Sequence, residues 1–201
     1  MNKGIFSCKL GNINLDGCIA NASGPRCTSL EELQSLDNSK SPIVLSKSAT
    51  LEFRKGNPLP RYRDNDLGSI NSMGLPNNGI DYYLDITDKI DKPYFISVNG
   101  MTYEDTIEII SRIIERDQLV NGIEINLSCP NIIGKGQLGY DPIMMRKYLN
   151  GIFDKLNHIR FKLVVGVKLP PYFDFSQFED ISKVLMEFPI DFITCINSIG
   201  N

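Results

Sequence analysis

The sequence predicts an α/β fold built from repeated strand–helix units, and three observations lead there. Short, apolar, β-prone runs alternate along the chain with longer segments whose apolar residues recur at helical spacing. Most of those runs are continuously apolar rather than alternating, the pattern of parallel strands covered on both faces. Six of them occur with helices between, which leaves two architectures, a doubly wound sheet or a (β/α)8 TIM barrel. No Gly-x-Gly-x-x-Gly follows the first run, which weakens the dinucleotide-binding version of the doubly wound sheet.

The elements follow in order. Residues 6–15 hold two short strand-like runs around Gly11-Asn12, a hairpin signal. Strands are then expected at 18–22, 42–46, 94–98, 122–127, 163–168 and 191–196. The helices between them carry start signals. Thr28-Ser-Leu-Glu31 and Ser176-Gln-Phe-Glu179 match the capping box, in which a hydroxyl and a carboxylate reciprocally satisfy free amides, and Thr102-Tyr-Glu-Asp105 is a looser version. Asp141-Pro142 places a cap and then proline at the first helical position. Ile107, Ile110 and Ile114, and then Met145, Tyr148, Ile152 and Leu156, form stripes that face a core. Residues 50–92, between the second and third strands, read as a long irregular insertion. Loops of that length are functional or disordered, and its Gly68-Ser-Ile-Asn-Ser-Met-Gly-Leu-Pro76 is too specific for disorder.

Composition narrows the function. The 201 residues, 42% hydrophobic, suffice for one domain with a substantial core. A net charge of −3 without a Lys/Arg cluster gives no footprint for nucleic acid. No apolar run approaches the ~20 residues of a membrane span, and the first eight residues lack the apolar stretch of a signal peptide. The protein is therefore read as soluble and cytoplasmic. Its five cysteines (Cys8, Cys18, Cys27, Cys129, Cys195) are scattered and never form Cys-x-x-Cys, which argues against a disulfide framework or a metal site. His158, the only histidine, falls late in a helical pattern, so a Cys-His or Ser-His-Asp mechanism has no base. Proton chemistry here would rest on Cys, Lys, Ser or an acid.

The most informative stretch is Glu124-Ile-Asn-Leu-Ser-Cys-Pro-Asn131. An apolar run ends abruptly, and the strand delivers a thiol and two amides, Asn126 and Asn131, to its C-terminal mouth. Chemistry gathers at that end in α/β folds. Pro130 denies the ladder a donor and ends the strand. The glycine-rich residues after Asn131 read as a mobile flap. A small buried hydrophobe is the ordinary fate of a cysteine, but this setting points to an accessible Cys129 thiolate acting as proton acceptor or nucleophile.

Seven motifs, in order, resemble the dihydroorotate dehydrogenase family. They are Asn21-Ala-Ser-Gly24, Ser46-Lys-Ser-Ala-Thr50, Gly56-Asn-Pro-Leu-Pro-Arg-Tyr62, Asn71-Ser-Met-Gly-Leu-Pro76, Asn126-Leu-Ser-Cys-Pro-Asn131, Gly166-Val-Lys-Leu-Pro170 and Asn197-Ser-Ile-Gly-Asn201. Cysteine at position 129 is similar to class 1, since class 2 relatives carry serine. Lys55-Gly-Asn-Pro-Leu-Pro-Arg61 and Asn131-Ile-Ile-Gly-Lys135 resemble class 1A, the soluble, cytoplasmic homodimers that use fumarate as electron acceptor.

The resemblance implies a (β/α)8 barrel holding FMN at its C-terminal face, and oxidation of dihydroorotate to orotate in pyrimidine biosynthesis. By motif, Cys129 takes the C5 proton. Lys168 sits by the flavin's pyrimidine edge and stabilises the negative charge that grows on reduction. Lys47, a compact charge with three donors, meets flavin and substrate carboxylate. Ala22, Ser23, Ser48, Asn126 and Ile196 complete the flavin contacts. Asn71, Met73, Gly74, Leu75, Asn126, Asn131, Asn197 and Ser198 surround the substrate; on its own, the stretch from Asn71 to Pro76 is turn chemistry.

Relatives continue for about two further strand–helix units beyond the point matched by Asn201, and those units ordinarily hold the flavin phosphate. The chain is accordingly expected to be the N-terminal portion of one FMN-binding barrel domain, with six of its eight units. It is also expected to bind FMN poorly alone. The rival expectation is a catalytically silent fragment that associates with an intact subunit. A Cys-dependent hydrolase fails for want of a histidine partner.

Overall fold

The computed structural model describes residues 6–116, 119–128 and 136–199. In chain order its strands are β1 (Cys8–Leu10), β2 (Ile13–Leu15), β3 (Val44–Leu45), β4 (Tyr62–Asn65), β5 (Gly68–Asn71), β6 (Tyr94–Val98), β7 (Gly122–Asn126), β8 (Val164–Lys168) and β9 (Phe192–Thr194). Its α-helices are α1 (Leu30–Asp37), α2 (Ile80–Asp85), α3 (Tyr103–Glu115), α4 (Pro142–Leu156) and α5 (Phe175–Leu185).

β3, β6, β7, β8 and β9 form one parallel sheet in that order. Each strand pairs with the next one contributed by a strand–helix unit, and the order never reverses. A doubly wound sheet needs a reversal at its switch point; a sheet that always advances the same way is part of a (β/α)8 barrel. Two antiparallel hairpins flank it, β1–β2 and β4–β5.

The strand expected at 18–22 is not there, so five strands rather than six build the sheet. Its apolar signal was misleading because the segment is exposed, with Ile19 at 82%. A single side chain does the pairing instead. Asn21 donates Nδ2 to the Leu45 carbonyl (2.7 Å) and accepts the Leu45 amide at Oδ1 (3.0 Å), satisfying the edge of β3 as a strand backbone would.

The strands sort side chains to two faces by their period of two. On the helix-covered face, Tyr94, Ile96 and Val98 of β6, Ile123 and Ile125 of β7, and Val165 and Val167 of β8 join one core with Leu33, Ile80, Ile110, Met145, Ile152 and Ile181 of the five helices. On the other face Leu45, Phe95 and Val164 form a smaller cluster closed by Leu15, with Leu10, Ile13 and Phe192 against it. The β1–β2 hairpin therefore plugs the N-terminal end of the inner face. Gly122 and Gly166 have inner-face positions where a Cβ would strike the rings of Phe95 and Phe192 respectively.

Caps differ in detail from the sequence patterns. Around α1 the box lies one residue later, with Ser29 Oγ accepting from the Glu32 amide (3.3 Å) and Glu32 Oε2 accepting from the Ser29 amide (3.1 Å). Asp174, not Ser176, caps α5: its carboxylate accepts the Ser176 amide at 2.7 Å and the Ser176 hydroxyl at 2.6 Å. Those two donors hold the carboxyl below its usual range. The Thr102–Asp105 box and the Asp141-Pro142 start are as expected. In α3 the fully buried stripe is Ile109, Ile110 and Ile113, with Ile107 and Ile114 at its margins.

Residues 50–92 are more ordered than an irregular loop. They contain the β4–β5 hairpin, α2 and a 3-10 turn at Thr87–Lys89. Buried Asn77 anchors them, its Oδ1 accepting the amides of Thr50 (3.0 Å) and Gly79 (2.9 Å). No helix among the described residues is long and apolar enough to cross a membrane.

Candidate functional site

The C-terminal ends of the strands present a polar layer on the inner face. Parallel register sets Ser97 beside Glu124, and Asn126 beside Lys168, which in turn pairs with Thr194. Above this layer opens a cavity of about 330 Å³, within the range of small-molecule sites.

Lys168, the last residue of β8, is only 7% exposed and donates its ammonium to the Ser23 carbonyl at 3.1 Å. Lys47 follows β3, its backbone fixed by donation from its amide to the Cys27 carbonyl (2.8 Å). Asn126 ends β7 with its amide oriented by three bonds. Nδ2 donates to Ser48 Oγ (3.2 Å), while Oδ1 accepts from the Ser128 amide (3.1 Å) and from Asn197 Nδ2 (3.1 Å). Asn197 also donates to the Ser128 carbonyl. Asn71 closes the ring, donating Nδ2 to Ser198 Oγ at 3.4 Å across 127 residues of sequence.

The wall from Met73 to Leu75 is held in an uncommon backbone shape. Gly74 (φ +69°) and Leu75 (φ +59°) are both left-handed, which for leucine costs about 1–2 kcal/mol. Outside bonds hold it there: Arg54 Nε donates to the Gly74 carbonyl (2.7 Å) and the Asn57 amide to the Met73 carbonyl (3.0 Å).

Of the residues singled out from sequence, Ser23, Lys47, Ser48, Asn71, Met73, Leu75, Asn126, Lys168, Asn197 and Ser198 line this one cavity. Gly74 is buried within the wall between two lining residues, Ala22 is exposed, and Ile196 is 50% exposed; none of the three lines the cavity itself. Cys129 and Asn131 lie outside the described residues. Their neighbour Ser128 is buried and donates to Gln137 Oε1 at 2.7 Å. His158 is exposed beyond α4.

Sequence reasoning missed Gly24, Pro25, Tyr62 and Ser69 in the lining, and Ser97, Glu124 and Thr194 beneath it. Polar residues inside otherwise apolar strand runs were the available signal. Cys27 is a thiol close to the cavity, and burial pushes it up, against the pull of the Gly24 amide and Lys47. It stays a neutral thiol, not a nucleophile. No group of three His, Cys, Asp or Glu among the described residues could hold a metal ion.

The arrangement offers two ammonium groups and several oriented amides to one small cavity. That donor set suits the carbonyl and carboxylate oxygens of planar heterocycles. A profile of the family "dihydroorotate dehydrogenase" matches residues 5–201. The chain is 42% identical over 199 residues to a probable dihydroorotate dehydrogenase A (fumarate) of Streptococcus pneumoniae. It is 46% identical over 200 residues to a dihydroorotate dehydrogenase (fumarate) of Saccharomyces mikatae. In both cases 96% of this chain is covered but only 62% of the relative, so the chain spans less than two thirds of their length. The solved structure of ligand-free DHODH from Eimeria tenella superposes with a TM-score of 0.80 over 98% of this chain and 63% of that one. At 17% identity that likeness speaks for the fold alone.

Proposed function

The chain belongs to the dihydroorotate dehydrogenase family, and on that premise we propose that its cavity serves the oxidation of (S)-dihydroorotate to orotate in pyrimidine biosynthesis, with FMN as cofactor and fumarate as final acceptor. One observation carries the reading. Lys47, Asn71, Asn126, Lys168, Asn197 and Ser198 come from five separate places in the chain and converge on one cavity.

The residues divide the work. Lys168, held at the Ser23 carbonyl, would offer a bound FMN a preorganised positive charge that stabilises the reduced ring. Ser23, Ser48 and Asn126 orient that ring; Ala22 and Ile196, outside the cavity lining, contribute at its margin. Lys47 pairs with the substrate carboxylate. Asn71, Asn126, Asn197 and Ser198, already hydrogen-bonded to one another, match the donors and acceptors of a cyclic diamide, with Met73, Gly74 and Leu75 as the wall. Asn131 adds a further amide. Cys129 accepts the C5 proton as the C6 hydride leaves. FMN, when bound, supplies the hydride acceptor. We place the enzyme in the cytoplasm as a homodimer.

The test is optical. Protein loaded with FMN should lose visible flavin absorbance when dihydroorotate is added without oxygen, and regain it with fumarate. Absorbance unchanged by dihydroorotate refutes the reading. A second reading, association with an intact subunit without turnover, is favoured by the outer strand β9, where Ile193 is 50% exposed, and by Phe173 and Phe175 at 78% and 76%. Co-purification with such a subunit, without flavin of its own, identifies that case.

A further inference from the structure

Glu124 lies on the inner face of β7 and is fully buried, yet none of the roles above uses it. Its two oxygens have one partner each: Ser97 Oγ donates to Oε1 at 2.9 Å and Thr194 Oγ1 donates to Oε2 at 2.7 Å. We infer that Glu124 is a positioning residue that fixes the direction of the Ser97, Ser48 and Ser23 hydroxyls under the cavity, so that Ser23 meets a ligand as an acceptor.

The argument is an inventory of protons. A carboxylate only accepts, and a serine hydroxyl has one hydrogen to give. Ser97 gives its hydrogen to Glu124, so in the 2.8 Å contact between Ser97 and Ser48 it is Ser48 that donates. The hydrogen of Ser48 is then spent, and in the 3.0 Å contact with Ser23 the donor is Ser23. The lone pairs of Ser48 are filled by Ser23 and by Asn126 Nδ2. Ser23 therefore spends its hydrogen on Ser48 and has only lone pairs left for a ligand in the cavity it lines. Beside it stands the Lys168 ammonium, a donor held on the carbonyl of the same residue.

A floor with an acceptor next to a cationic donor fits a ring edge that carries N–H beside C=O, the cyclic imide edge. Flavin and pyrimidine acid both present that edge, and the identification rests on the ligands proposed above.

Two experiments test it. In the ligand-free protein, the carboxyl ¹³C signal assigned to Glu124 by its disappearance in Glu124→Gln should sit at the ionised position at neutral pH. A protonated position overturns the inference, since the chain of hydroxyls then has no fixed sense. Binding is measured next, with FMN against 3-methyl-FMN and orotate against 3-methylorotate, in wild type, Ser97→Ala and Thr194→Val. Ser97→Ala removes the link to Ser48; Thr194→Val removes a donor from the same carboxylate but leaves the link. In Ser97→Ala, preference for the N–H form should fall about tenfold for whichever ligand faces Ser23, the size of one hydrogen bond. In Thr194→Val it should stay at the wild-type ratio. The methyl group's own bulk cancels in these ratios. Equal changes in both variants, or none in either, overturn the inference. Wild type that binds neither FMN nor orotate instead sinks the proposed function, and the carboxyl signal still decides the direction of the hydroxyls.

Discussion

Replacing Lys168 by methionine separates what the buried ammonium does for the site from what it does for the fold. Lys168 is 7% exposed and donates to the Ser23 carbonyl at 3.1 Å. Losing the donor leaves that carbonyl unpaired, a penalty of about 1–3 kcal/mol. Removing the charge relieves a desolvation cost of several kcal/mol, and methionine conserves most of the volume at a cost of roughly 1.5 kcal/mol or less. The folding terms nearly cancel, so the midpoint of thermal unfolding without ligand should move by only a few degrees, at about 2–4 °C per kcal/mol for a chain this size. Catalysis has no such offset. A preorganised donor facing developing charge is worth about 2.7–4 kcal/mol, so anaerobic flavin reduction by dihydroorotate should slow by roughly 10²–10³. Calorimetry of the ligand-free variant and stopped-flow absorbance of the loaded one give the two numbers. A variant that unfolds far below wild type, or reduces its flavin at the wild-type rate, refutes the assignment.

Cys129→Ala should keep flavin binding and lose flavin reduction at neutral pH; an undiminished rate would require another base. Gly74→Ala places a Cβ on a residue at φ +69° and within 2.7 Å of the Asn57 backbone nitrogen. Handedness alone costs about 1–2 kcal/mol, so unfolding should come several degrees earlier, and KM for dihydroorotate should rise as the wall shifts; an unchanged KM would show that the wall does not touch substrate. Burial pushes Cys27 and Tyr94 up, and Tyr148 up to about 12. Raised acids favour the neutral form in the folded state, so their contribution is complete below the unfolded values, 9.0 for the thiol and 10.0 for tyrosine. It is lost as pH climbs past those values toward the folded ones. The urea midpoint should be steady up to about pH 9 and then decline; a midpoint level to about pH 11 would contradict the burial of these groups.

The fold was legible where one signal dominated. β6 was readable to the residue because all five of its positions are buried, and α4 because a cap, a proline and an apolar stripe agree. The missing strand at 18–22 shows the limit of a local apolar run: pairing depends on whether a neighbour's edge is already satisfied, and Asn21 had taken it. The helix starts slipped by a residue or two where several hydroxyls and carboxylates competed, as Asp174 did with Ser176. At the site, motif order brought ten of the expected residues to one cavity. Ile196 escaped because its position beside the strand end does not say which way it points. Tyr62 and Ser69 belong to a hairpin over the mouth, a placement that no local pattern encodes.

Polarity along the inner face explains why the strands looked more uniformly apolar than they are. The helix-covered face supplies every second residue, and all of those are Ile, Val or aromatic in β6 and β7. The inner face grades from Phe95 and Val164, sealed by the hairpin, through Ser97 and Glu124, to Asn126 and Lys168 at the mouth. Near the mouth a polar side chain can bond to loops or ligand. Among the described residues Glu124 bonds to two hydroxyls, and burying a carboxylate costs several kcal/mol before its partners offset it. An apolar residue there would pack against Gly166 and Phe192 with no such burden. A carboxyl group kept one layer below the cavity fits the positioning role inferred for it, exerted upward through Ser97 and Ser48.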